Sequence, residues 1–195
     1  FPFPGGQFKC YYAGTSNHGV SWNSPSPTLV PPINKTNPNG GSVGAAVDKE
    51  GNIHISWVSQ SPAGLFYAKW TYVSQTWSDT IRVNQRVERQ LTYQMITVDR
   101  KNRIHIMWVD GKVESTITAE VMYARSTNGG VSFLPQIQLS NADGKHSAFP
   151  MGDFIGTNSD TLAIAWRDSI SSAQQWDIAM SVTTNGGQSW GVQSM

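Results

Sequence analysis

"STNGGVSF" at residues 126–133 and "TTNGGQSW" at residues 183–190 spell nearly the same turn twice, and "TSNHGVSW" at 15–22 spells it a third time more loosely. With flanking residues included, "MYARSTNGGVSF" (122–133) aligns without gaps with "YYAGTSNHGVSW" (11–22) and "AMSVTTNGGQSW" (179–190). The turn asparagines, Asn17, Asn128 and Asn185, lie 111 and 57 residues apart, and a degenerate copy, "FYAKWTYVSQTW" (66–77), divides the longer gap nearly in half. The chain therefore repeats itself about every 55 residues, and an internal period of that size marks a repeat architecture.

A second element keeps step with the first. "VDKEGNIHISWV" (47–58) matches "VDRKNRIHIMWV" (98–109), and "GTNSDTLAIAWR" (156–167) continues the series. In each, a polar turn precedes strict alternation that sends Ile53, Ile55 and Trp57 to one face and His54, Ser56 and Val58 to the other, the period of a β-strand. Each unit reads as strand, polar turn, strand ending in Trp, variable loop, strand, Asn-Gly turn and a last strand such as "PQIQLS" (135–140). Four antiparallel strands that are apolar on both faces, as in "LAIAW" (162–166), must be covered on both sides by copies of themselves. That describes a β-propeller blade.

The expected fold is all-β: a β-propeller of which about three and a half four-stranded blades are present, divided as a partial blade (1–42), two blades (43–84 and 94–140) and a second partial blade (149–195). Propellers close with about four to eight blades. The remainder is therefore expected from a longer parent chain, or else from further copies assembling into a ring. Composition agrees: charged residues are 14% and aromatics 11% of 195 residues, with eight Trp and eighteen Gly, a balance that suits short strands and tight turns.

Other classes drop away. Fourteen basic against thirteen acidic residues give a net charge of +1, with no basic run to follow a phosphate backbone, so no nucleic-acid partner is expected. No apolar run approaches a membrane span. The lone Cys10 rules out an intrachain disulfide and a cysteine-based zinc cluster. No cofactor is expected, and no metal. His54 and His105 occupy matching positions with Ala163 replacing them in the third unit, and a residue repeated by the architecture usually serves the architecture. His146 reads as a surface histidine, and Asn34 in "NKT" is a formal glycosylation sequon.

The turns resemble the Asp-box, or BNR repeat, of the sialidase (neuraminidase) superfamily, S/T-x-D-x-G-x-S/T-W/F. It reads here as Thr15, Asn17, Gly19, Ser21, Trp22; as Ser126, Asn128, Gly130, Ser132, Phe133; and as Thr183, Asn185, Gly187, Ser189, Trp190. In the fourth copy only Thr76 and Trp77 survive. Asn replaces the aspartate throughout, keeping the oxygen that accepts turn amides while Gly supplies positive φ. The resemblance covers essentially the whole chain, with "AFPMGDFIG" and "LAIAWRDS" also similar to secreted bacterial proteins of exo-α-sialidase type. It implies a propeller of six or seven blades when complete, a secreted or cell-surface location, and Asp-boxes that act as scaffold on the face away from the ligand. It also implies, for active members, an arginine triad, a Tyr–Glu nucleophile and an acid/base Asp. The early F/Y-R-I-P motif that supplies the first arginine has no match, since "FPFP" (1–4) lacks Arg.

The opposite face is built by "QRVERQLTYQ" (85–94), "DGKVESTITAE" (110–120), "NADGKHSAFPMGD" (141–153) and "RDSISSAQQW" (167–176). Catalytic candidates there are Arg89, Tyr93, Arg167 and Asp153, and ligand-binding candidates are Arg86, Glu88, Asp110, Asp168 and Trp176. Arg offers a planar, two-pronged anion donor, while Tyr93 is a nucleophile or a stacking platform. Each also has a plain reading: Arg86 and Arg89 beside Glu88 as a solvated link with weak ion pairs, Tyr93 as a core or rim aromatic, Arg167 and Asp168 paired with one another or with neighbouring turns, Asp153 as a turn residue. Trp70, Tyr72 and Trp176 are the aromatics suited to stacking on sugars. Three functions stay open: a non-catalytic module binding glycan or another surface partner, a fragment of a sialidase-type glycoside hydrolase, and a structural module of a secreted or surface assembly.

Overall fold

The computed structural model describes residues 11–13, 15, 17–22, 28–29, 37–85, 91–111, 118–157, 159–170 and 175–194. Among them there is no helix, and therefore none long and apolar enough to cross a membrane. Every strand pairing is antiparallel. β1 (Tyr11–Tyr12) pairs with β2 (Thr28–Leu29). A larger sheet runs β3 (Asn37–Val47), β4 (Ile53–Ser61), β5 (Ala63–Thr71), with β6 (Thr76–Trp77) and β7 (Ile81–Arg82) both along the outer side of β5. Next come β8 (Leu91–Val98), β9 (Ile104–Asp110), β10 (Glu120–Ser126) and β11 (Ile137–Gln138), in that order. The last sheet is β12 (Ser147–Phe154), β13 (Leu162–Ser169) and β14 (Trp176–Thr183), with Ser194 bridging to Met180 on the outer side of β14.

The internal repeat is reproduced register by register. His54 lies opposite Lys69, His105 opposite Arg125 and Ala163 opposite Val182. Ser56 lies opposite Tyr67, Met107 opposite Tyr123 and Ala165 opposite Met180. Alternation then assigns the faces. Trp57, Trp108 and Trp166, at matching positions, are fully buried.

The three larger sheets cover one another in turn. Val58, Leu65 and Tyr67 of the β3–β7 sheet share one core with Ile104, Ile106, Trp108 and Met122 of the β8–β11 sheet. The reverse face of the latter, with Met107, Val121 and Tyr123, shares a second core with Leu162, Ile164, Trp166 and Ala179 of the β12–β14 sheet. This two-sided burial explains why the strands carry apolar residues on both faces. The first strands also meet, β3 against β8 and β8 against β12, so the sheets radiate from their first strands as a fan.

Candidate functional site

At one end of the fan stand the Asn128 and Asn185 turns, and their geometry is shared by the Asn17 turn. The Ser126 hydroxyl donates to Asn128 Oδ1 at 2.8 Å and accepts the Gly130 N–H at 3.0 Å, while Asn128 Oδ1 accepts the Ser132 N–H at 3.0 Å and Asn128 Nδ2 donates to Ser132 Oγ at 2.8 Å. Thr183, Asn185, Gly187 and Ser189 repeat this network, as do Thr15, Asn17, Gly19 and Ser21. The asparagine side chain is thus consumed by its own turn.

The Asn128 and Asn185 turns dock on the preceding sheet. The Phe133 ring meets Tyr67 edge-on at 5.1 Å and Trp190 meets Tyr123 at 4.9 Å. Lys69 Nζ donates to the Gly129 carbonyl and Arg125 Nη1 to the Gly186 carbonyl. Beneath each docked tyrosine lies a buried histidine, with Tyr67 Oη 2.7 Å from His54 Nδ1 and Tyr123 Oη 2.7 Å from His105 Nδ1. Burial lowers both histidine pKa values and raises both tyrosine values. A neutral imidazole next to an ionised carboxylate must turn its N–H toward it, so His54 Nε2 donates to Asp48 Oδ2 at 3.1 Å and Nδ1 accepts the Tyr67 proton. In the second copy His105 Nε2 stands 3.6 Å from Asp99 Oδ2, because Arg103 Nε draws that carboxylate to 2.5 Å. Burial alone would raise the Asp99 pKa, but His105 and Arg103 outweigh it and hold it at about 2. These Asp-His-Tyr groups join sheet to turn, a structural task.

The other end of the fan is different. β8 and β12 each carry an irregularity in register, between Thr92 and Met95 and between Ala148 and Met151. Inside these bulges Tyr93 and Phe149 adopt φ of +47° and +56°, a conformation rare for bulky side chains that costs roughly 1–2 kcal/mol each. The bulge in β8 is clamped from the preceding sheet: Ser56 Oγ donates to Gln94 Oε1 at 2.5 Å and Gln94 Nε2 donates to the Ser56 carbonyl at 3.2 Å. Bulges re-aim side chains. Here they bring the two rings to 4.0 Å between centroids, with both residues exposed, at 45% and 40%.

Arg167, opposite Ala148 on β13, completes the stack. Its guanidinium carbon is 5.4 Å from the Phe149 ring centroid and 4.7 Å from that of Trp176. Tyr93, Phe149, Arg167 and Trp176 therefore form one continuous ladder at the loop end of two adjacent sheets. Among the described residues no group of three or more His, Cys, Asp or Glu side chains is placed to hold a metal ion.

Of the residues singled out in the sequence, Tyr93, Arg167 and Trp176 come together. Arg86, Glu88 and Arg89 lie outside the described residues. Asp110 is buried at the end of β9, opposite Leu91 on one side and Glu120 on the other. Asp168, also buried, accepts from Ser147 Oγ at 2.5 Å and Gln193 Nε2 at 2.6 Å, while Arg167 projects to the other face, so these two neighbours in sequence do not pair with each other. Asp153 stands apart, in register with Ala163, four residues or about 13 Å along β13 from Arg167. His146 is half-buried and accepts the Ala119 N–H. Trp70 and Tyr72 meet edge-on at 6.1 Å on a different sheet from Arg167 and Trp176. Phe149 escaped the sequence reading, although the repeat places "AF" at 148–149 where "TY" stands at 92–93.

No family profile matches the chain, and no curated protein matches it in sequence. Solved structures do resemble it. A Hadza microbial sialidase superposes with a TM-score of 0.58 at 14% identity, over 77% of this chain and 36% of that one. An endo-arabinase from Bacteroides thetaiotaomicron gives 0.57 at 10% identity, over 89% and 67%. An ulvan lyase, a polysaccharide lyase, gives 0.59 at 13% identity, over 96% and 50%. The chain spans about a third of the sialidase's length and half of the lyase's. At such identities the likeness is one of fold: an all-β chain of several antiparallel sheets, shared with proteins named for acting on glycans.

Proposed function

We propose that the chain is part of a sialidase-type β-propeller whose loop end binds glycan without hydrolysing it. In this reading residues 1–42, 43–84, 94–140 and 149–195 belong to successive blades of a ring of six or seven, in a secreted or cell-surface protein. The ladder of Tyr93, Phe149, Arg167 and Trp176 carries the proposal. Two exposed rings on strained backbone offer apolar faces to the C–H side of a sugar ring, and strain at bulky residues is a pointer to function. Stacking occupies the flat faces of the Arg167 guanidinium, leaving its in-plane N–H donors for a hydroxyl or carboxylate oxygen. The glycan-acting fold neighbours favour a sugar over other ligands with the same chemistry.

Its four residues include one arginine, and neither the Glu that activates a tyrosine nucleophile nor the acid/base Asp expected of active sialidases, which favours binding over glycoside hydrolysis. The test is a glycan array probed with the wild-type chain and with Tyr93→Ala and Trp176→Ala, alongside turnover of a fluorogenic sialoside. Saturable binding that falls at least tenfold in each variant, without turnover, is the expected result. Turnover would instead favour a glycosidase fragment, and no binding to any glycan would favour a structural module.

A further inference from the structure

Among the described residues no sheet lies over the face of β12–β14 that carries Ala163, Ala165, Met180 and Val182, whereas its counterparts in the two preceding sheets are covered. His54, Ser56, Val58, Leu65 and Tyr67 are covered by the β8–β11 sheet, and His105, Met107, Val109, Val121 and Tyr123 by the β12–β14 sheet, all at 3% exposure or less. On the last sheet the equivalent strand positions include Ile178 at 60% and Met180 at 41%, with Met151 of the first strand at 69%. An open groove of about 590 Å³ runs over Met151, Asp153, Ala163 and Ala165.

The chemistry of this face differs from its counterparts in three residues at once. Where the following sheet presents an Asn-Gly turn, the preceding sheet supplies a histidine and a tyrosine joined by a hydrogen bond and a cation on the turn carbonyl: His54, Tyr67 and Lys69 for the Asn128 turn, and His105, Tyr123 and Arg125 for the Asn185 turn. The last sheet has Ala163, Met180 and Val182 in those registers. The start of the chain offers an internal control. Tyr12 keeps the tyrosine, but the position equivalent to Lys69 and Arg125 is Gly14, and the sheet that follows it in sequence closes its outer hairpin through Thr71–Thr76 without an Asn-Gly pair.

We infer that the open face of β12–β14 is an interface for a further sheet of the same build whose outer hairpin lacks the Asn-Gly turn. That sheet seats through apolar contact on Ala165, Ile178 and Met180, with its tryptophan-bearing side inward, as the β8–β11 and β12–β14 sheets present Trp108 and Trp166 to their predecessors. A second copy of this chain arriving with its Asn17 turn would find neither tyrosine nor cation to receive it. The inference rests on the observed repeat of the sheets; Arg167, paired with Ile178 in the register of Val58 and Val109, stands at the loop-end edge of the same face, so the seated sheet becomes the ladder's next neighbour.

The test extends the full chain after Met195 with a copy of its own residues 30–85, which carry the Thr71–Thr76 turn, or of residues 86–140, which carry the Asn128 turn. Amide hydrogen exchange is then read at Ala165, Ile178 and Met180, with β9 and β10 as internal standards for an intact fold. The expected result is at least tenfold slower exchange at those three sites with the first extension and no change with the second. Ala163→His, Met180→Tyr and Val182→Arg introduced together should restore protection by the second extension. Equal or greater protection by the Asn128 unit on the unaltered face would overturn the inference, and so would protection by neither.

Discussion

Gly130 and Gly187 hold φ of +88° and +81°, and a Cβ at either would overlap the hydroxyl of Tyr67 or Tyr123. Two penalties therefore combine, left-handed backbone and a steric clash with a buried ring. Gly130→Ala should lower unfolding free energy in urea by about 2–4 kcal/mol. Gly129→Ala, at φ +68° with only Lys69 Nζ nearby at 3.9 Å, should cost only about 1 kcal/mol. Tyr67→Phe leaves the buried His54 Nδ1 without its donor and should cost about 1–3 kcal/mol in the same assay. At this scale the sequence was legible wherever residues repeat. The role of Asn and Gly could be read from the box, since each acts within its own turn, and the box marks the aromatic as the anchor between sheets. The Asp-His-Tyr grouping could not, because Tyr67 lies thirteen residues from its partner His54 and only strand pairing brings them together.

Bulges decide what the loop end can do. Regular pairing would alternate Tyr93 and Phe149 with their neighbours across the sheet faces, and it is the irregular register of β8 and β12 that gathers them beside Arg167. Because both residues pay for this position in backbone strain, Tyr93→Gly and Phe149→Gly should change unfolding free energy by no more than about 1 kcal/mol, while glycan affinity falls at least tenfold. Calorimetric titration beside urea unfolding checks both halves. A bulge leaves little trace in an alternating sequence, so Tyr93 was recognisable as an aromatic on the right face but its strain and its partner Phe149 were not. The strands themselves were plain from "IHISWV" and "IHIMWV", where turn chemistry and alternation agree.

For the whole molecule, the buried histidines couple sheet packing to pH. Both hold folded-state pKa values below 6.5, so the unfolded chain binds more protons and stability falls as pH drops through 6.5 toward the folded values. Asp99 adds a second loss: its pKa, lowered from 3.8 to about 2, stabilises the fold above 3.8 and ceases to do so as pH falls toward 2. Urea midpoints should thus be flat above neutrality and decline in two stages on acidification. A His54→Gln, His105→Gln chain should be less stable at pH 7.5 but flatter between about pH 4 and 6.5.

The most direct test of the glycan reading is chemical-shift mapping of the labelled chain with the strongest oligosaccharide from the array. Shifts are predicted at the Tyr93 and Phe149 rings, the Arg167 guanidinium and the Trp176 indole, with the Asn-turn aromatics Trp22, Phe133 and Trp190 unmoved. Perturbations gathered at the turn end, leaving the ladder unchanged at saturation, would contradict it.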